Sequence, residues 1–157
     1  MKQRALKNGA FLSLAMLFTA MAQADNPSIS ITNTQGLSFG SFSADKGGTV
    51  TISATGMRTA SGAVTLLSSD PGQAAQFAIT TNQANLSYNV TLPTNAKLTG
   101  PGSAMLLSTL TTNPFTDSCN TGKRGQQILA VGGTLAVENS QTAGDYSTTF
   151  SITVNLQ

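Results

Sequence analysis

The residue types that most often do chemistry are sparse in this sequence, and one of them is absent. There is no histidine, which removes the Ser-His-Asp and Cys-His arrangements of nucleophilic catalysis and the usual zinc ligand. The six acidic residues are Asp25, Asp45, Asp70, Asp117, Glu138 and Asp145. They are scattered among turns, and nothing in their spacing brings two carboxylates to the separation that glycoside hydrolysis requires. Asp45, Asp70, Asp117 and Asp145 could offer oxygen ligands to calcium, yet none lies in the dense Asp/Asn loop such a site needs. Gly122-Lys123-Arg124 resembles the end of a phosphate loop, but Asp117 stands where the first glycine belongs and Arg124 where Ser or Thr must hold magnesium. The sequence therefore assigns no catalytic residue, no metal site and no cofactor, and the chain is not expected to be an enzyme.

The single cysteine, Cys119, cannot close an intramolecular disulfide, so stability must come from packing and strand ladders. Its surroundings, Asp117-Ser118-Cys119-Asn120-Thr121-Gly122, have turn composition and predict a thiol in a loop, with an intermolecular disulfide as the alternative. Asn85-Leu86-Ser87 and Asn89-Val90-Thr91 fit the glycosylation sequon, a frequent chance match in a chain this rich in Asn, Ser and Thr.

Export is written at the start. Met1 to Asn8 carries Lys2, Arg4 and Lys7 and no acid, an apolar run follows from Ala10 to Met21, and Ala22-Gln23-Ala24 is the small-x-small pattern that signal peptidase reads. Residues 1–24 are expected to be a signal peptide cleaved between Ala24 and Asp25. The apolar run is shorter than the ~20 residues of a membrane anchor, so the mature chain is expected to carry no membrane span. Cleavage also removes three of the eight basic residues, leaving five against six acids, a net charge of −1. With no clustered Lys/Arg face, a nucleic-acid partner is not expected.

The elements behind these residues are strands. Period-two alternation appears at Ile29 and Ile31, Leu37 and Phe39, Val50 to Ala54, Ala75 to Ile79, and Leu86 to Leu92. Met105-Leu106-Leu107, Ile128 to Val131, Thr134 to Val137 and Tyr146 to Leu156 extend the series. Turn signals at Asp45-Lys46-Gly47-Gly48, Ser61-Gly62, Asp70-Pro71-Gly72, Thr99 to Gly102, Gly132-Gly133 and Ala143-Gly144-Asp145 separate the runs. Eight or nine short strands predict a single all-β domain, two antiparallel sheets packed as a sandwich, with a barrel as the alternative. In the last run Phe150, Ile152, Val154 and Leu156 face one way and Ser151, Thr153 and Asn155 the other. Tyr146 at its start is placed either as a tyrosine corner or as an ordinary strand aromatic.

Leu37-Ser38-Phe39-Gly40, Gly47 to Ile52, Phe77, Tyr88 to Pro93, Val131-Gly132-Gly133-Thr134-Leu135, and Gly144-Asp145-Tyr146 leading into Phe150 to Asn155 form an ordered set. That set resembles a family of bacterial pilin-like secreted domains of unknown function, and its end is similar to the last strand of chaperone-usher fimbrial subunits. The resemblance implies an immunoglobulin-like sandwich, possibly lacking a strand, over residues 37–157. Residues 25–36 are then an N-terminal extension in which Ile29 and Ile31 form a donor strand, and Phe150, Ile152, Val154 and Leu156 line the groove that a donor fills. A periplasmic chaperone and other subunits are the implied partners, no cofactor is implied, and the implied route runs from periplasm to cell surface or fimbrium. The alternative is a self-complete monomeric secreted sandwich, with Ile29 and Ile31 in its own first strand, binding carbohydrate or protein at the cell surface.

Overall fold

In the computed structural model, residues 26–114 and 119–157 are described; the expected cleavage point at Ala24 and Asp25 lies outside them. Among the described residues ten strands make two antiparallel sheets, an all-β sandwich. They are β1 (Ile29–Gln35), β2 (Phe42–Ile52), β3 (Arg58–Leu66), β4 (Ala75–Thr81), β5 (Ser87–Thr91), β6 (Asn95–Leu98), β7 (Met105–Asn113), β8 (Cys119–Asn120), β9 (Gln126–Val137) and β10 (Thr153–Leu156). The larger sheet has seven strands and the smaller runs β10-β5-β8.

Strand β9 organises the larger sheet. One of its edges carries β7, from Leu106 opposite Ala136 to Asn113 opposite Ala130. The other edge is shared end to end, Gln126 to Val131 with β4 and Gly133 to Val137 with β2. The exchange of partners happens at Gly132, where the chain turning out of β2 lies so close that a Cβ would collide with the Ile52 carbonyl oxygen. Gly132-Gly133 is therefore no turn: the two runs expected on either side of it are one twelve-residue strand. Glycine is needed there for close backbone approach inside a sheet. In the same way β2 runs straight through Asp45 to Gly48, absorbing them in an irregularity between Ala44 and Gly48.

The change of partners divides the core. Leu135 and Val137 join Val50, Ile52, Leu98, Met105, Leu107 and Phe39 in one buried cluster. Leu129 and Val131 join Ala75, Ile79, Tyr88, Val90 and Cys119 in the other. Tyr88, Val90 and Cys119 belong to the smaller sheet, which covers the second cluster alone. The first is closed by segments outside that sheet, among them Leu37, Tyr146 and Phe150.

Cys119 is 1% exposed, which corrects the expected loop thiol. It is the first residue of β8, directly opposite Tyr88. A two-residue strand inside a turn-like stretch carries no periodicity that could announce it. The Tyr146 hydroxyl donates to the Thr142 carbonyl, four residues upstream, at 2.9 Å, the backbone bond of a tyrosine corner, although Tyr146 itself precedes the last strand, which begins at Thr153.

Candidate functional site

The residues expected to act as donor and groove meet in one chain. Ile29 and Ile31 lie in β1, which pairs antiparallel with β4, Ile29 opposite Thr81 and Ile31 opposite Ile79. Residues 25–36 were expected as an extension, but the described part of that segment is an edge strand of its own sheet. The physical reason is register: alternating Ser, Thr and Ile residues match the open edge of β4, and two side chains fix the ends. Asn82 accepts from the Ser28 backbone N–H through Oδ1 at 2.8 Å and donates through Nδ2 to the Asn26 carbonyl at 2.9 Å. Gln35 Nε2 donates to the Ala74 carbonyl at 2.8 Å. Neither role was legible in sequence, since an amide side chain in a polar stretch carries no positional signal.

On its other side β1 runs beside β10, with Cα atoms of the two strands within 8 Å although they belong to different sheets. Ile152, Val154 and Leu156 are half-buried against the second cluster, and Ile29 packs against the same cluster. Ser151, Thr153 and Asn155 are exposed, so the expected alternation holds along the end of the chain. Phe150 departs from the expected set, packing against the first cluster instead. The regular strand is also shorter than the run from Tyr146 predicted, because only Thr153 to Leu156 find partners on β5.

The seat of β1 is thus a slot with a hydrogen-bonding floor on β4 and an apolar wall on the far side from β10. The strand is thinly held in it. Ile29 is its only residue packed against a core cluster, Ile31 is 38% exposed, and Ser30 to Thr34 all face solvent. A half-buried isoleucine contributes about 1 kcal/mol, so backbone hydrogen bonds and the Asn82 clamp carry most of the attachment.

Burial raises the Tyr88 phenol pKa far above its ordinary value, and the neighbouring Cys119 pushes it the same way. This pair sits in the interior beneath the slot. Among the described residues no group of His, Cys, Asp or Glu could hold a metal ion, and no helix is long and apolar enough to cross a membrane.

A family model described as a domain of unknown function, DUF4402, matches residues 29–156. No curated protein and no solved structure gives a significant match.

Proposed function

We propose that this chain, which belongs to the DUF4402 family of domains of unknown function, is an exported structural subunit of a fimbrial or other surface fibre. Its copies join by exchanging β1. The observation that carries the reading is that Ile29 packs against the same core cluster as Ile152, Val154 and Leu156, with β1 running beside β10. A contact made within one chain can be made between two with the same residues in the same register. Such a swap is nearly neutral in contact energy, so concentration and the hinge decide it. Gly36, with open space around its Cα, follows β1 and can serve as that hinge. Signal-peptide cleavage, passage through the periplasm with a chaperone covering the vacated β4 edge, and display at the surface complete the proposal, because an exposed edge invites unwanted pairing.

The test uses Ser30 and Thr80, which lie directly opposite each other in register, both exposed. Cα atoms so placed are about 4.5–5.5 Å apart, within disulfide reach. Mature Ser30→Cys and Thr80→Cys proteins, purified separately, mixed and oxidised, should yield a disulfide-linked pair containing one copy of each. Recovery of only the species that each variant gives alone would defeat the exchange reading. A second reading is supported by the pairing of β1 with its own β4: a self-complete monomer acting as a surface binding module. It takes over if the mature wild type elutes as a monomer at every concentration.

A further inference from the structure

The half of the sandwich that the smaller sheet leaves uncovered contains a cavity of about 580 Å³, within the roughly 300–1,000 Å³ of ligand-binding cavities. Its floor is the first core cluster itself, with Phe39, Leu98, Met105, Leu135 and Val137 all buried. Its walls are two stretches of chain, 37–45 and 141–146. The mouth is charged with one sign. Asp45, Asp70 and Asp145 line the cavity at exposed positions, and no Lys or Arg lines it. Among the described residues the Asp45 and Asp145 carboxylates form no ion pair or hydrogen bond, and Asp70 accepts only the Gly72 backbone N–H, at 3.3 Å.

The backbone of the two walls is engaged or bent, so recognition falls to side chains. On one wall Ser38 exchanges two backbone hydrogen bonds with Gln73, and Ser41 donates to the Asp70 carbonyl at 3.2 Å. On the other the Thr142 carbonyl already accepts from the Tyr146 hydroxyl, and Gly144, with φ at 145°, interrupts any extended run. An occupant is therefore selected by an apolar body that suits the floor and by a positive charge that suits the mouth, a favourable pairing because no cation of the chain itself lines the cavity.

We propose that this cavity is a small-molecule site for an amphipathic organic cation, an ammonium group on an unbranched apolar chain. The chain lies on the floor and the ammonium meets the carboxylates at the mouth. Burial of the chain supplies most of the affinity, and the charge discriminates against neutral and anionic molecules of the same shape. The site involves no pairing of strands and does not rest on exchange of β1.

The probe is n-octylammonium, and its controls are n-octanol, octanoate and n-butylammonium. Titrations of the mature protein at low salt, followed by calorimetry and by chemical-shift changes around Ala44 and Leu135, should show octylammonium binding about fivefold more tightly than octanol. It should bind at least about tenfold more tightly than butylammonium, with octanoate weaker than octanol. Added salt should bring octylammonium toward octanol. Asp45→Asn and Asp145→Asn, both at exposed positions where folding is not at stake, should each weaken octylammonium by about two- to fivefold and leave octanol unchanged. Ala44 is half-buried, lines the cavity and packs against its floor, so Ala44→Leu occupies part of the space and should weaken octylammonium by about fivefold or more. Octanol or butylammonium binding as tightly as octylammonium, indifference to both Asp substitutions, or undiminished binding by a folded Ala44→Leu protein would each overturn the proposal.

Discussion

Arg58 clamps two connections that backbone hydrogen bonds from Ser41 to the Asp70 carbonyl and from Leu67 to the Ser41 carbonyl already bring together. Its Nη2 donates to the Ser41 carbonyl at 2.7 Å, in the link between β1 and β2. Nη1 donates to the carbonyls of Leu67 at 3.2 Å and Asp70 at 2.9 Å, in the link between β3 and β4. A hydrogen bond to a charged donor contributes about 1.5–3 kcal/mol. Truncation here returns surface carbonyls to water, and three bonds sharing one side chain do not add, so Arg58→Ala should cost about 2–4 kcal/mol. At roughly 3–4 °C per kcal/mol for a domain of this size, the thermal midpoint should fall by about 6–16 °C. Arg58→Lys should recover less than half of the loss, because an ammonium is a point donor and cannot span both connections as the planar guanidinium fork does. Urea and thermal unfolding of the mature protein measure both. An Arg58→Ala protein within about 0.5 kcal/mol of wild type, the ordinary range of surface substitutions, would refute the clamp.

Other outcomes follow from the interior and from the start of the chain. Cys119→Ser, which places a hydroxyl where a thiol is 1% exposed, should destabilise the domain by about 1–3 kcal/mol; a thermal midpoint equal to wild type would return Cys119 to the surface. Tyr88 has a folded pKa raised above the unfolded value of about 10. Its contribution to stability is therefore intact below about pH 10 and lost as pH rises beyond that. In a Tyr146→Phe background, absorbance at 295 nm should stay flat at pH 11 until the protein unfolds, and a phenolate signal from the intact fold would contradict the burial. Intact mass of the exported protein should begin at Asp25, and a retained Leu14 region would end the export argument.

What the sequence revealed was whatever repeats with a period of two and packs against a core. β2, β4 and β5 were legible from their alternating apolar residues, as was the inward face of the last strand, and β7 from the run Met105-Leu106-Leu107. β3 was not, because Thr59 to Ala63 is an exposed edge with no apolar side to betray it. β6 and β8, at four and two residues, are too short to show a period. The Leu37 and Phe39 run was misread in the other direction, since both side chains pack inward while the backbone makes only an isolated bridge from Ser38 to Gln73. Composition also misled where glycine serves close approach, as at Gly132. Of the candidate site, Ile29, Ile152, Val154 and Leu156 were legible as apolar alternation, and their packing against one core cluster was not. Neither the open space at Gly36 nor the Asn82 hydrogen bonds that hold the start of β1 are encoded in hydrophobic pattern.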